Sequence, residues 1–158
     1  MEIRTYSQAD FPAVRACFIE LQEFERALDP RLPSGSAAAD AYLEGLFRRC
    51  QQFAGQVFVV EDADRVVGFV SVLGACRSDS PDDAATPFAY VDDLVVLPEH
   101  RGHGYGRALL ARAEAYAAAL GRTTLRLRVK GGNQLARGFY AGAGYTEYEI
   151  ELQKEIFR

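Results

Sequence analysis

The sequence has 158 residues and a formal net charge of −4, and 49% of the residues are hydrophobic while 25% are charged. These proportions are typical of a soluble globular protein, and the acidic balance disfavours nucleic acid and anionic membranes as partners. No apolar run approaches the roughly 20 residues of a membrane-spanning helix, and residues 1–4 do not resemble a secretory signal. We therefore expect one cytoplasmic domain over residues 1–158.

Neither a disulfide framework nor a metal centre is indicated. The cysteines are widely separated, odd in number and lack a C-x-x-C pair, so we expect free thiols at Cys17, Cys50 and Cys76. The only histidines, His100 and His103, flank the same glycine-rich stretch, which disfavours a histidine-based triad or a metal cluster.

The N-terminal part predicts one strand and two helices. Residues 2–6 are predicted to form a strand, and Ser7 with Asp10 resembles a capping box that starts a helix. Apolar residues then recur at helical spacing (Phe11, Val14, Phe18, Leu21 and Phe24 or Leu28). Residues 29–35 contain two prolines that end this helix, and Ser36 is expected to cap a second helix.

The remainder predicts a sheet with two further helices. β-branched and aromatic runs at residues 57–60 and 65–76 predict a hairpin with its turn at residues 61–64. The other predicted elements are a polar loop at residues 77–83, a strand at 88–97, a helix that ends near Gly121, a strand at 123–129, a helix at 133–143 and a strand at 145–152. This order is typical of one α/β domain with a mixed sheet.

Residues 101–106, called the glycine turn below, carry glycine at every second position between a predicted strand and a predicted helix. Glycine lets the backbone turn sharply and approach a ligand closely, and a helix N-terminus offers free N–H groups to an anion. A P-loop is disfavoured because Arg107 and Ala108 replace its Lys-Ser/Thr pair. A dinucleotide fingerprint is disfavoured because the glycines come late in the chain. The remaining alternative is a turn that serves only the backbone.

Residues 94–110 resemble the acyl-CoA signature of the GCN5-related N-acetyltransferases, Q/R-x-x-G-x-G/A, which is met by Arg101, Gly104 and Gly106. A second block is similar to the late N-x-x-A-x-x-x-Y-x-x-x-G-F/Y segment of that family (Asn133, Ala136, Phe139, Tyr140, Gly144 and Tyr145). The order of elements also fits, so the resemblance covers residues 2 to about 152.

The resemblance implies an α+β fold with a mixed, mostly antiparallel twisted sheet of six to seven strands and about four helices. It implies acetyl-CoA as the donor, no metal, and a pyrophosphate site between the central strand and the helix after the glycine turn. That strand would separate from its neighbour and offer backbone groups to pantetheine. The implied cofactor-binding residues are Leu94, Val95, Val96, Arg101, Gly102, His103, Gly104, Tyr105, Gly106, Arg107, Asn133 and Tyr140.

The resemblance also implies catalytic roles. Tyr140 occupies the position of the general acid beside the sulfur, with a core tyrosine as the alternative. Asn133 either contacts the cofactor or caps its own helix. Asp92 corresponds to the acid that handles the amine in some polyamine and protein acetylases, with Asp93 or water as alternatives for the base. Because successive strand residues point to opposite faces, one of the two aspartates is expected to face the core side or the cleft. The alternative is that one is a solvated strand residue and the other binds backbone at a strand bulge.

The acceptor is the least determined part. Glu20 and Glu23, on the first predicted helix, are candidate ligands of a cationic amine, although charges on one helix face usually only solvate it. The basic residues 126–130 depart from acetylases of ribosomal protein N-termini. We expect transfer to a primary amine of a small molecule or peptide, by direct attack in a ternary complex. The alternatives are a non-catalytic acyl-CoA-binding module and a nucleotide-dependent enzyme. Residues 145–156 are a candidate edge for a homodimer.

Overall fold

A computed structural model describes residues 1–82 and 85–156, and these form two compact units, Met1–Arg128 and Val129–Arg158. The elements of the first unit are β1 (Glu2–Thr5), α1 (Phe11–Leu28), α2 (Gly35–Gln52), β2 (Gln56–Asp62), β3 (Arg65–Cys76), β4 (Phe88–Val96), α3 (Tyr105–Ala119) and β5 (Leu125–Leu127). The second unit contains α4 (Gln134–Gly142). Asp83, the last residue of the predicted polar loop, lies outside the described residues.

The strands form one sheet in the order β1-β2-β3-β4-β5. The first four strands are antiparallel to their neighbours, and β5 pairs with β4 in parallel. The hairpin between β2 and β3 turns at Ala63 and Asp64, whose φ angles are 47° and 60°. Two left-handed residues in succession give a turn whose twist matches that of the paired strands. The predicted hairpin and the mixed, mostly antiparallel sheet are therefore confirmed.

Helices pack on both faces of the sheet. On one face, α1 and α2 bury apolar side chains against alternate residues of the strands (Val14, Phe18, Leu43, Leu46, Val57, Val59, Phe69 and Val95). On the other face α3 packs on β2, β3 and β4, with the guanidinium of Arg112 lying 4.2 Å over the ring of Phe58. Because both faces of the sheet are covered, β2 and β3 consist of nearly continuous apolar runs.

Helix α2 begins earlier than the sequence predicts. Its N-cap is Ser34 rather than Ser36, and the Ser34 side chain accepts a hydrogen bond from the Ala37 N–H. The next residue, Gly35, lies so close to α1 that a Cβ atom there would approach the carbonyl oxygen of Ile19 to 2.7 Å. The tight approach of α1 and α2 therefore requires glycine at this position, and a cap pattern read along one segment does not reveal that contact.

The strand count is also lower than expected, because five strands form among the described residues instead of six to seven. Strand β5 is limited to three residues of the predicted 123–129, and residues 145–152 form no strand. An alternating pattern defines two faces but does not specify a partner, and Glu147, Glu149 and Glu151 place repelling charges along one side. The edge that was expected to support a homodimer is therefore not formed by residues 145–156.

The predicted capping interaction after β1 is present and is joined by an ion pair. Asp10 accepts hydrogen bonds from the Ser7 N–H at 2.7 Å and from both terminal nitrogens of Arg4 at 2.7 Å. Arg4 also contacts Glu61, and the Asp10 side chain is 7% exposed. The Arg4 guanidinium holds the pKa of Asp10 well below its usual range, and the Ser7 bonds add to this effect against the opposing effect of burial.

We expect Asp10→Asn to lower the free energy of unfolding at pH 7 by about 1.5 to 3 kcal/mol, because a charged acceptor is lost. A depressed folded-state pKa stabilises the protein fully above the unfolded value of about 4, and this stability is lost as the pH falls further. Urea unfolding across this range should therefore show the two proteins converging at low pH. Asp40→Asn is the control, since the Arg15–Asp40 pair is exposed and should contribute little. A difference in the free energy of unfolding between the wild type and Asp10→Asn that did not change with pH would contradict the ion-pair explanation.

Candidate active site

The glycine turn leads into an uncapped helix N-terminus. Gly102 and Gly104 have φ angles of 79° and 85°, which strongly favour glycine, and Gly104 is the N-cap of α3. Among the described residues, no side chain caps α3 by a hydrogen bond, and a Cβ atom at either glycine would meet nothing within 4 Å. The first N–H groups of this 15-residue helix are therefore accessible through a backbone surface without side chains, which is a suitable site for an anion.

Arg101 and His103 make contacts within the turn. The Arg101 Nε donates a hydrogen bond to the Val96 carbonyl oxygen at 2.9 Å, which ties the turn to the end of β4. The Nδ1 atom of His103 lies 2.9 Å from the Arg101 carbonyl oxygen, and its ring stacks near Tyr105 with the centroids 5.9 Å apart. Arg101 and His103 are both exposed, as expected for His103. Arg101 thus has a structural contact in addition to its predicted role at a phosphate.

The C-terminal half of β4 has an open edge in the first unit. Strand β5 pairs with Ala89, Tyr90 and Val91 and extends no further along β4. On the opposite side the Leu97 N–H donates to β3, and backbone groups alternate in direction along a strand. Val95 therefore points its N–H toward β3, whereas Leu94 and Val96 point theirs to the open edge. Within the first unit, the N–H groups of Leu94 and Val96 therefore lie on the edge beyond the pairing with β5, whereas that of Val95 does not.

A β-bulge lies where this separation begins. Ser71 pairs with Asp93, whereas the next residue of β3, Val72, pairs with Val91, so Asp92 is an extra residue in β4. A bulge redirects the side chains beside it. The prediction that Asp92 and Asp93 point to opposite faces is wrong for this reason, since each carboxylate contacts a side chain of α2.

These contacts define an acid cluster of five residues, Tyr42, Arg49, Ser71, Asp92 and Asp93. Asp92 Oδ2 accepts a hydrogen bond from the Arg49 Nε at 2.8 Å, and it lies 2.7 Å from the Arg49 Nη2 in an ion pair. Asp93 Oδ1 accepts a bond from the Tyr42 hydroxyl at 2.9 Å, and its Oδ2 accepts one from Ser71 Oγ at 3.0 Å. The Asp93 N–H donates back to Ser71 Oγ at 2.9 Å.

The two carboxylates differ in environment. The Asp93 residue is 6% exposed, whereas the Asp92 side chain is 19% exposed and lies against a cation. Burial, and after it the charge of Asp92, raise the pKa of Asp93 to about 7, against the opposing effect of the Tyr42 and Ser71 hydrogen bonds and of Arg49. Asp93 is therefore a carboxyl group that gains and loses its proton near neutral pH.

Sequence reasoning did not identify Tyr42, Arg49 or Ser71 as functional candidates. Two signals were available: Tyr42 and Arg49 are seven residues apart, which places them on one helix face, and Ser71 interrupts an apolar run. Both signals are weak without knowledge of the bulge, because a serine in a strand and an arginine on a helix are common.

The candidate acceptor residues on α1 have a different arrangement from the one expected. Glu23 Oε1 accepts a hydrogen bond from the Gly35 N–H at 2.6 Å, and its other oxygen lies 3.5 Å from Arg26. Glu23 therefore satisfies the N-terminus of α2, where a negative charge is favourable. Glu20 lies half-buried on α1.

The second block of the resemblance lies in the second unit. Asn133 is the N-cap of α4, and its Oδ1 accepts a hydrogen bond from the Ala136 N–H at 3.0 Å, so the capping interpretation is confirmed. Tyr140 lies on α4 with its ring centroid 5.2 Å from that of Phe139 and 5.8 Å from that of Tyr145. The Tyr145 N–H donates to the Tyr140 carbonyl oxygen, which closes the end of the helix.

In the part of the chain that the structure describes, no three His, Cys, Asp or Glu side chains are grouped so that they could hold a metal ion. All three cysteines are free thiols, as predicted. None of the helices within residues 1–82 and 85–156 has the length and apolar character needed to cross a membrane.

Comparison with known sequences identifies the family. The sequence profile described as the acetyltransferase (GNAT) family matches residues 19–145. The chain belongs to the GNAT family. Among its GNAT relatives, L-2,4-diaminobutyric acid acetyltransferase of Nocardia farcinica is 33% identical over 92 residues, which cover 58% of this chain and 44% of the relative. The chain thus spans less than half the length of the curated relatives that its sequence matches.

Solved structures confirm the GNAT fold. A mutant of the BH1408 protein from Bacillus halodurans superposes with a TM-score of 0.87 at 19% identity, covering 99% of this chain and 100% of that one. A second structure, AAC(6')-Iy in complex with the bisubstrate analogue CoA-S-monomethyl-acetylneamine, has a TM-score of 0.72 at 16% identity and covers 99% and 98% of the two chains.

Proposed function

We propose that this protein is an acetyl-CoA-dependent N-acetyltransferase that acts on a primary amine by direct attack in a ternary complex. The observation that carries the proposal is the pairing of an uncapped, glycine-lined helix N-terminus with an unpaired edge of the preceding strand, in a chain of the GNAT family. A structure of the same fold holds a CoA-containing bisubstrate analogue, which supports CoA as the donor.

The donor site would use backbone groups. The N–H groups of residues 102–107 would bind the pyrophosphate, since they lie at the positive end of α3 and no Cβ obstructs Gly102 or Gly104. The N–H groups of Leu94 and Val96 would bind pantetheine, because β5 leaves them unpaired. Acetyl-CoA supplies an activated thioester when bound. An N–H group of this edge would also stabilise the negative charge that develops on the carbonyl oxygen.

The chemistry proposed for the side chains follows the resemblance. Tyr140 would donate its hydroxyl proton to the departing sulfur, and Asp92 would contact the amine. Asp92 suits this role because Arg49 occupies only Oδ2, and no hydrogen bond to Oδ1 occurs among the described residues. A carboxylate with one available oxygen favours a cationic acceptor. The diaminobutyric acid of one relative and the neamine of the bisubstrate analogue carry such amines, which supports this acceptor class.

A thiol-release assay with acetyl-CoA and a panel of amines tests the proposal. The panel contains spermidine, 2,4-diaminobutyrate and neamine, with the uncharged amide of each as the control. We expect thiol release with at least one amine and none with the amides. Tight acetyl-CoA binding without turnover of any amine would favour the acyl-CoA-binding module instead. Binding of ATP in preference to CoA would favour the nucleotide-dependent enzyme.

A further inference from the structure

The acid cluster contains two carboxylates but one cation among the described residues. Arg49 pairs with Asp92 Oδ2 through a hydrogen bond from its Nε and an ion-pair contact from its Nη2, whereas Asp93 receives hydrogen bonds from two neutral hydroxyl groups. A buried carboxylate without a cation of its own is costly unless it takes up a proton. Asp93 is therefore the member of the cluster that can accept a proton during the reaction.

The hydrogen bonds and the burial of Tyr42 and Ser71 determine how a proton can reach the Asp93 carboxylate. Ser71 Oγ has one proton, which it donates to Asp93 Oδ2, and it also accepts the Asp93 N–H. The Tyr42 hydroxyl donates its proton to Asp93 Oδ1 and retains lone pairs that can accept another. Tyr42 is partly exposed, whereas Ser71 and Asp93 are both buried, with Ser71 0% exposed. A proton from outside the cluster therefore reaches Asp93 through Tyr42 and not through Ser71.

Packing holds the Tyr42 ring in place. The ring stacks on Phe18 of α1 with centroids 4.3 Å apart and an interplanar angle of 16°. The guanidinium of Arg49 lies 5.4 Å from the centre of the same ring, so the phenol is adjacent to the cation that holds Asp92. The bulge at Asp92 brings both carboxylates to this face, which is the reason that one aromatic side chain can lie beside both.

From this geometry we infer that Tyr42 and Asp93 form a proton relay that deprotonates the acceptor, while Asp92 binds its ammonium group. The inference rests on the proposed function. An N–H bond of the ammonium breaks, its proton moves to Tyr42 Oη, and the Tyr42 proton moves to Asp93 Oδ1. The products of this step are a neutral amine, an unchanged tyrosine and a protonated Asp93, which afterwards returns the proton to solvent. Tyr42 is the catalytic group, and Asp93 acts through it.

The groups around Asp93 set the pH at which the relay works. They are Tyr42, Arg49 and Cys50 on α2, Ser71 on β3, and Tyr90 and Asp92 on β4, with apolar Phe18 facing Tyr42 from α1. A pKa of about 7 for Asp93 means that the carboxylate is available above neutrality and still able to take up a proton. Activity should therefore rise with pH through this region.

The pH dependence of kcat/KM, with the best amine of the panel, tests the relay. We expect Tyr42→Phe and Asp93→Asn each to lower kcat/KM by about a hundredfold or more. Asp93→Asn should also abolish the rise of kcat/KM near pH 7. Ser71→Ala should move the rise to higher pH, because the carboxylate loses a donor. Tyr6→Phe is the matched control, since the Tyr6 ring also stacks on an aromatic ring, Phe47, but its hydroxyl contacts Gln8 and not a carboxylate.

The outcomes separate the relay from the proposed function. If the wild type is active, either of two results overturns the relay alone. One is a kcat/KM of Tyr42→Phe equal to that of Tyr6→Phe, and the other is a rise of kcat/KM near pH 7 that persists in Asp93→Asn. If Asp93→Asn does not fold, the relay is overturned when kcat/KM of Ser71→Ala rises at the same pH as in the wild type. Absence of turnover by the wild type overturns the proposed function and the relay together. Carbon-13 NMR of the Asp93 carboxyl group gives a readout without substrate, and a titration midpoint near the ordinary value of about 4 would also overturn the relay.

Discussion

Gly104→Val is expected to weaken CoA binding by at least a hundredfold, which corresponds to about 2.7 kcal/mol. Gly104 is the N-cap of α3 and has a φ of 85°, and a Cβ atom there would meet no atom of the described residues within 4 Å apart from its chain neighbours. A branched side chain there would cover the helix N–H groups that the pyrophosphate is proposed to contact. Isothermal titration calorimetry with CoA measures the loss directly.

Gly121→Val is the matched control, because Gly121 follows the opposite end of the same helix. Its φ is 71°, and a Cβ atom there also meets nothing within 4 Å. Both variants place a side chain in the left-handed region, so both should be destabilised by about 1 to 2 kcal/mol or more. CoA binding should fall only in Gly104→Val. Equal affinities in the two variants would show that the N-terminus of α3 does not bind CoA.

Tyr140→Phe is expected to lower kcat by roughly 10² to 10⁴, the usual contribution of a general acid. The substitution removes one hydroxyl group and keeps the ring that packs near Phe139 and Tyr145. The Kd for CoA should stay within a few-fold of the wild-type value, because the proposed donor contacts are backbone groups. Steady-state thiol release measures kcat, and calorimetry measures the Kd.

Tyr145→Phe is the control for this experiment. Tyr145 belongs to the same sequence block and its ring lies 5.8 Å from that of Tyr140, so it experiences a comparable loss of a hydroxyl group. We expect Tyr145→Phe to keep most of its activity. Full activity of Tyr140→Phe would remove Tyr140 from the acid role. A similar loss in both variants would indicate that ring packing at the end of α4 matters more than the proton.

Local patterns predicted the parts of the fold that depend on local chemistry. The hairpin turn at Ala63 and Asp64, the glycine turn and the C-terminal Gly121 each have conformations that a short stretch of sequence determines. The GNAT resemblance was likewise carried by two short blocks, and the family match over residues 19–145 confirms it.

Features that depend on contacts between distant segments could not be predicted in this way. The start of α2 at Gly35 depends on the backbone of Ile19, and the length of β5 depends on where β4 stops accepting a partner. The arrangement of the acid cluster could not be predicted from the sequence for the same reason. The sequence identified Asp92 and Asp93 as candidates, but the pairing of Ser71 with Asp93 decides the face on which they lie.

The bulge at Asp92 also changes which face of the sheet the buried side chains of β4 occupy. Val91 pairs with Val72, whereas Asp93 and Val95 pair with Ser71 and Phe69 on the face of α1 and α2. Burial alternates without interruption along the strand, so a hydropathy profile shows no break at the position where the buried side changes. Each half of β4 can therefore accept substitutions suited to its own helix layer. Deletion of Asp92 itself would leave Val91 opposite Val72 and Asp93 opposite Ser71, so the ladder would become regular and each half of the strand would keep its buried side.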